Sequence, residues 1–487
     1  MILFFKKNKL VILLSLLFVF YCFNYYFFSV EFCMTSIDRM SRFFGADCWR
    51  VFEDLTNYYG NHYRISVHPL MMILIFPIST IFKGVLNNPV LGMMVMISFF
   101  SVLNSWLFYK ILIKLNISKN QSLVIMFFYS LSSSKIVFSA IPESFVFGQL
   151  FYLLLFLIII NIINNNTISF KESFLLTTLG VFSLATTITN YIIFNIVVIF
   201  LLIIIKNKKS SLWGVLSLAI SMISFVLLVI IQSKIYVNVP SLIGMFFNNF
   251  TTQGEEIRYM DFTFSISKIL TTISNFFINS FAFSEVYVDN SSNLVPIVCK
   301  PTLILNIFGT FLWGIGLMFL TIKNRLFSFF NQPHIIILCL IIALNMGLHF
   351  IYGSGEQFLY SLHYSWAIVL LLILIYNYVP NIKISKYFKY SLLTVFINNM
   401  YAYALVFYYS YKMNGGLFIS FKEVFFLMVL IAFVISLIIS CIKLKHNYLK
   451  LALIFGLLTC IITFSFYYNN TGFSNYTGDM NIHQLSE

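Results

Sequence analysis

Two neighbouring stretches gather the side chains best suited to chemistry: "GADCWRVFED", Gly45 to Asp54, and "NHYRISVHPL", Asn61 to Leu70. The first carries Asp47, Arg50, Glu53 and Asp54. The second carries His62, Arg64 and His68, the last beside Pro69. A carboxylate kept ionised by a neighbouring arginine can take the proton of a hydroxyl, the work of a general base. An arginine with a histidine close by can hold a phosphate, because guanidinium offers a fork of donors to its oxygens. Together these suit transfer of a group from a phosphate-bearing donor to a hydroxyl. The plainer reading is a solvated loop, with "GNHYR" as its turn.

The elements that must position this cluster are membrane helices. Hydrophobic residues make up 60% of the 487-residue chain and charged residues 9%, where soluble domains carry about 25% charge. The mean hydropathy is +0.92. Apolar runs near 20 residues recur along the chain, each long enough to cross a hydrocarbon core of roughly 30 Å. The first, from Leu10 to about Phe28, follows Lys6, Lys7 and Lys9 and lacks a small-x-small cleavage site. It reads as an uncleaved helix with a cytoplasmic amino terminus.

Charge sets the frame. If the short run 70–82, interrupted by Pro77, spans, then Lys110, Lys114 and Lys119 fall outside with the later basic clusters. If it lies in the outer interface, those lysines fall inside together with Lys206, Lys208, Lys209, Lys323, Arg325, Lys383, Lys443 and Lys445. The positive-inside rule prefers the second frame. It predicts an all-α polytopic membrane protein of about 13 spans, with a large periplasmic first loop holding juxtamembrane helices and a periplasmic carboxyl terminus. The spans include 121–140, 144–163, 302–321, 391–409, 423–442 and 451–467. The nearly continuous run 173–205 is too long for one crossing and is divided at "TITNY", with Asn190 as the turn. Of the 16 Asp and Glu, only Glu172 then falls inside. Acids contribute little to orientation, so their segregation places any carboxylate chemistry on the outer face. The net charge of +14 is a topology signal and gives no sign of nucleic-acid binding.

Two outer segments, 30–88 and 233–301, are long enough to build a site; the second contains the amphipathic-looking "FSISKILTTISNFFINSF". Smaller outer turns hold Glu143 in "SAIPESF", and Glu356 and His363 in "GSGEQFLYSLHY". For Glu143 the plain alternative is an acid at a helix N-terminus. For Glu356 and His363 it is a structural pair on one helix face. His334 and His349 are expected to be satisfied within the bundle. Cys33, Cys48 and Cys299 fall outside, where a disulfide is permitted; Cys33 with Cys48 is the pair to consider, and free thiols are the expectation. P-loops, Gly-rich dinucleotide turns, HExxH and CxxC pairs are absent from the sequence.

The layout resembles the GT-C membrane glycosyltransferases. More narrowly, "GADCWRVFEDLTNYYGNHYRISVHPL" is similar to the first-loop pattern of bacterial and prophage serotype-converting proteins that decorate O-antigen, and "FSAIPESF", "TTITNY" and "GEQFLYSLHY" sit where such proteins carry outer-face motifs. The resemblance covers residues 1–380 in layout and only these stretches in detail. It implies an inverting glycosyltransferase of the inner membrane that moves one sugar, commonly glucose, from undecaprenyl phosphate to a lipid-linked O-antigen chain on the periplasmic face. Carried over, Asp47 is the base and Asp54 a second catalytic acid, while Arg64 and His68 hold the donor phosphate and Arg50, Glu143, Glu356 and His363 join the substrate site. Ala46 departs from the pattern, in which the acid more often follows the glycine directly. Many such enzymes bind a divalent metal ion at this loop and others need none; no metal ligand is assigned. A flippase and a bactoprenol sugar-loading enzyme are the partners the resemblance implies. Residues 1–325 would form the catalytic core and 326–487 the C-terminal helices with a periplasmic tail.

Two rival classes differ in recognisable ways. An O-antigen polymerase is expected to place its decisive arginines in mid-chain loops. A flippase or transporter is expected to carry polar residues within spans, or broken helices in matched halves; here the charges avoid span centres.

Overall fold

The computed structural model describes residues 9–26, 43–60, 67–236, 260–288, 297–300, 313–318, 325–353, 357–378 and 382–413, with a few isolated positions such as His62 between them. The chain divides into two compact units, residues 1–19 with 410–487, and residues 20–409. In the first, the described part is the start of α1 (Lys9–Tyr25) and the last turn of the final helix. Everything below concerns the second, which runs across the domain boundary expected at residue 325.

Helices dominate, and their ends follow from local chemistry. After α2 (Cys48–Thr56), residues 70–82 do not form one helix: α3 (Met71–Leu74) stops at Ile75 and α4 (Phe76–Leu86) restarts with proline in its first turn. Pieces of 4 and 11 residues cannot cross a bilayer, as the charge frame requires. Asn87, in the left-handed region at φ 49°, ends α4. Asn88 then starts α5 (Pro89–Lys114), its side chain accepting from the backbone of Val90 and Leu91 at 2.9 and 3.0 Å, a favoured N-cap arrangement. The predicted span 121–140 breaks into α6 (Lys119–Ser130) and α7 (Ser133–Phe138). Next come α8 (Phe145–Asn165), α9 (Phe170–Thr186), α10 (Ile188–Ile205) and α11 (Lys208–Ile235). A Ser169/Glu172 capping box opens α9.

The division of the run 173–205 is confirmed but shifts. The break falls at Thr187, whose extended backbone (φ −172°, ψ 151°) separates two helices. Asn190 is not the turn. It sits in the first turn of α10, buried, accepting from the Tyr152 hydroxyl at 2.8 Å and donating to Thr186 Oγ1 at 2.8 Å.

The second long outer segment contributes α12 (Ile266–Ser274), continued by a π-helical turn, Asn275–Asn279, so the predicted amphipathic stretch is helical. An antiparallel pair, β1 (Glu285–Val288) and β2 (Ile297–Lys300), pairs Glu285 with Lys300; the all-α expectation missed this small hairpin. The described chain ends with α13 (Leu326–Phe330), α14 (Pro333–Ile351), α15 (Ser361–Tyr378) and α16 (Ile382–Met413).

Among the described residues, seven helices are long and apolar enough to cross a membrane: α5, α8, α10, α11, α14, α15 and residues 392–409 of α16. The predicted spans 423–442 and 451–467 lie outside the described residues, as does most of 302–321. The core lies on α8 and α15, which are almost wholly buried, whereas α11 turns Leu212, Val215, Met222, Ile223 and Leu227 outward. Such a large apolar exterior suits lipid and not water. Small residues bring α9 and α11 together: Ser173 and Ser217 share a 2.9 Å hydrogen bond and Gly180 lies against Ser221, a packing mode typical of membrane helices.

One charge departs from the expectation. Lys135, on α7 inside the predicted span 121–140, is fully buried; its ammonium donates to Ser101 O and Gln149 Oε1, each at 3.0 Å, and faces the Tyr21 ring at 5.4 Å.

Candidate functional site

Several described segments that the charge frame puts outside meet in a single cavity of about 280 Å³. Its acidic, basic and imidazole lining is Asp47, Arg50, His68, Glu143, His349 and His363, set among apolar Val67, Phe145, Ile188, Leu348 and Leu359. That volume is near the lower end of the roughly 300–1,000 Å³ range of small-molecule sites.

Asp47 is placed by a sharp turn. Phe44 and Gly45 adopt consecutive left-handed conformations, φ 54° and 77°, and Ala46 N–H closes the turn on Phe43 O at 3.1 Å. Glycine takes this conformation without steric cost, whereas Phe44 is held there by the packing of its ring against Phe43, Phe283 and Phe358. Ala46, where the sequence departs from the family pattern, is fully buried and acts as a spacer. Asp47 thus becomes the residue before α2. Val51 and Leu55 bury one face of this short helix. The i, i+3, i+7 spacing lines up Asp47, Arg50 and Asp54 on another.

Arg50 bridges the two acids, reaching Asp47 Oδ2 at 3.1 Å and Asp54 Oδ2 at 3.4 Å. Asp54 continues inward to His62 Nδ1 at 3.1 Å. The series runs from core to cavity: His62 and Asp54 are 0% and 1% exposed, the side chains of Arg50 and Asp47 23% and 38%. Asp54 does not line the cavity. It stands behind Arg50 and contacts it, one step removed from the cavity that Asp47 lines, whereas a direct catalytic place was expected.

Glu143 arrives from the turn between α7 and α8. Its carboxylate accepts from the backbone of Asp47 at 2.9 Å and of Ser144 at 3.1 Å, tying the two turns together. It is 4% exposed. Burial pushes its pKa up to about 7; Arg50 opposes that rise and Asp47 adds to it. The helix-terminus reading of Glu143 is thus incomplete, because the carboxyl also serves the backbone of Asp47.

His68 is fastened by its neighbours. Its Nδ1 hydrogen-bonds Thr186 O, and a carbonyl only accepts, so Nδ1 carries the proton. Around it Leu70 N–H donates to Leu184 O at 3.2 Å and Ile188 N–H to Val67 O at 3.1 Å. The Gln232 side-chain amide donates to Pro69 O at 2.7 Å and accepts from Ile73 N–H at 3.0 Å. The break at Thr187 and the His-Pro-Leu stretch therefore lock each other in place.

The far wall comes from α14 and α15. His349 stacks on Tyr360, ring centroids 4.2 Å apart and 13° from parallel, and neither of its ring nitrogens meets a hydrogen-bond partner of good geometry among the described residues. His363 Nε2 is likewise buried without one. His363 is pressed against α8 where Gly148 leaves room: a Cβ on Gly148 would stand 2.4 Å from Nε2. His349 was expected to be satisfied in the bundle; instead it contributes unmet polar capacity to the cavity. The second long outer segment reaches the rim through Met260, paired with Tyr352, and Asp261 N–H donates to Ile351 O at 2.7 Å.

Arg64, Glu356 and Cys33, and with them the expected phosphate contact of Arg64, the Glu356–His363 pair and the Cys33–Cys48 pairing, lie outside the described residues. His334 lies at the opposite end of α14 and belongs to another cavity. Sequence reasoning missed Tyr360 and His349. The first sits three residues before His363 in a stretch already singled out, and the second closes a span at its outer end. Among the described residues no group of three or more His, Cys, Asp or Glu is arranged to hold a metal ion. The Asp47 carboxylate is engaged by Arg50 and that of Glu143 by backbone donors.

The fold and site define a polytopic α-helical membrane protein with a polar, part-apolar cavity at one end of its bundle. Compared with known proteins, the chain matches no family model, no curated protein and no solved structure.

Proposed function

We propose that this chain is an inverting glycosyltransferase of the bacterial inner membrane. In this reading it moves one sugar, of the glucose class, from undecaprenyl phosphate to a lipid-linked O-antigen chain on the periplasmic face, with its amino terminus in the cytoplasm. The observation that carries the reading is the convergence of Asp47, Arg50, His68, Glu143, His349 and His363 on one cavity with apolar walls at the end of the helices. A carrier tail can stay in lipid while its headgroup enters there. Asp47 takes the proton of the acceptor hydroxyl. The acceptor oxygen bonds to the anomeric carbon, and the bond from that carbon to the phosphate oxygen breaks on the opposite face. The polyprenyl phosphate leaves with the electron pair, its charge met by Arg50 and by His68 once Nε2 is protonated as well. The orphaned nitrogens of His349 and His363 give the sugar hydroxyls their partners, since buried polar groups without partners are costly.

The test is transfer of radiolabelled hexose from a polyprenyl-phosphate donor to a lipid-linked acceptor by the purified full-length protein. Asp47→Asn keeps the shape but cannot take the proton, so transfer should fall about 10²–10⁴-fold while donor lipid is still retained. Near-normal transfer by that variant, or no transfer by the native protein, refutes the reading. A transporter reading draws on one observation, the buried Lys135. Movement of labelled lipid across the bilayer without a glycosylated product would favour it.

A further inference from the structure

Three helices of the bundle border two cavities, one at each end. On α8, α14 and α15 the residues Phe145, His349 and His363 line the Asp47 cavity, whereas Ile160, His334 and Asn377 line a second one. The distance from His349 to His334 along α14 is about 22 Å at 1.5 Å per residue. The second cavity is larger, about 550 Å³, and lies at the end that the charge frame makes cytoplasmic.

Its chemistry is of one sign. Lys114, Arg325 and His334 line it with the amides of Asn164, Gln332 and Asn377, and no carboxylate does. None of the three basic groups has a carboxylate partner among the described residues. Arg325 is held in place without being neutralised: NH1 donates to Tyr378 O at 3.4 Å, and the guanidinium lies 5.9 Å from the Tyr378 ring centroid. Lys114 donates to Asn161 Oδ1. A basic residue at a helix C-terminus complements the dipole, which accounts for Lys114 in the last turn of α5. Arg325 and Lys114 bring two basic side chains to one cavity, with His334 and the amides beside them.

We propose that this cavity binds the phosphate of an anionic phospholipid headgroup, with Arg325 and Lys114 as its charged contacts. In the charge frame the helix ends that build it fall at the cytoplasmic face, and basic pockets between spans are a recognised means of holding anionic lipid. The proposal is independent of the glycosyltransferase reading.

The test is lipid retention by the purified full-length protein in neutral detergent, read by native mass spectrometry with phosphatidylglycerol, phosphatidylcholine or inorganic phosphate as separate probes. Phosphatidylglycerol should be retained in preference to phosphatidylcholine. Arg325→Gln and Lys114→Gln should each weaken it about fivefold, the worth of one cation at such a surface. Arg325→Lys should lose less, which keeps the test alive if the glutamine variants fold poorly. Lys209→Gln, an exposed charge outside the cavity, should change nothing. Equal retention of both lipids, unchanged retention in the Arg325 and Lys114 variants, or an equal loss in Lys209→Gln overturns the site. Retention of inorganic phosphate without lipid preference overturns its assignment to lipid.

Discussion

Glu143 allows the sharpest test of how the site is wired. Its side chain is 4% exposed and accepts two backbone hydrogen bonds, one of them from Asp47. Burial raises its pKa from 4.5 to about 7. The fold therefore favours the neutral acid, and the sign follows. Below about pH 4.5 the group is protonated in both folded and unfolded states and costs nothing. The penalty grows between 4.5 and 7 and is complete above 7, at roughly 3 kcal/mol. Glu143→Gln is neutral at every pH. It keeps one acceptor and turns an amide N–H₂ toward the other backbone donor, a loss of about 1–3 kcal/mol that does not depend on pH. Relative to the native protein, the variant should thus gain roughly 2–3 kcal/mol between pH 5 and pH 8, a rise of a few degrees in relative melting temperature. Thermal unfolding of both proteins in the same detergent, followed by tryptophan fluorescence at the two pH values, reads the difference directly. Parallel behaviour at pH 5 and 8 would show that Glu143 ionises in the fold as freely as in water. A relative loss at pH 8 would show that Arg50 outweighs burial and holds the group as a carboxylate.

Two substitutions separate the parts of the site. Gly148→Ala sets a Cβ 2.4 Å from His363 Nε2 and should cost about 1–3 kcal/mol of stability as the ring is displaced, with hexose transfer falling as far as in His363→Ala; full transfer by Gly148→Ala would remove the seat of His363 from the site. Asp54→Asn breaks a buried contact with His62 and one with part-exposed Arg50, so about 3 kcal/mol of stability should be lost, the low end for such pairs, whereas Asp47→Asn leaves the melting temperature nearly unchanged; a native melting temperature in Asp54→Asn contradicts the worth given to these contacts.

The coarse plan was legible because bilayer physics writes it in long runs and in charge. The parity derived from Lys114, Lys206 and Arg325 assigns Asp47, His68, Glu143, Thr187 and His349 to one face, and in the structure they line one cavity. The stretch Gly45 to Asp54 brought Asp47, Arg50 and Asp54 close together in the chain. It could not show which acid faces the cavity, because that depends on how α2 packs on α4. Nor could it separate Thr187 from Asn190 as the break, since both are short polar residues able to end a helix. The isolation of His349 and the burial of Lys135 depend on partners far away in the chain, such as Tyr360 for one and Ser101 and Gln149 for the other.

The broken backbone around the cavity explains polar residues that hydropathy alone would count against a span. Breaks at Ile75, Leu131, Thr187 and Ser280 free carbonyls and N–H groups at positions where water is scarce, and irregular backbone survives there only if the protein itself supplies the hydrogen bonds. Buried amide side chains supply several of them. Gln232 on α11 serves Pro69 and Ile73. Asn399 on α16 donates to Leu131 O at 3.0 Å and to Phe281 O at 2.9 Å, and accepts from Phe283 N–H at 2.9 Å. Asn104 on α5 donates to Val146 O at 2.9 Å, near the start of α8. Each lies within an apolar helix and bonds to the irregular end of a different one. These amides therefore hold irregular helix ends in place, Gln232 behind the His68 stretch that lines the Asp47 cavity and Asn399 beside a separate cavity lined by Ser132 and Phe281.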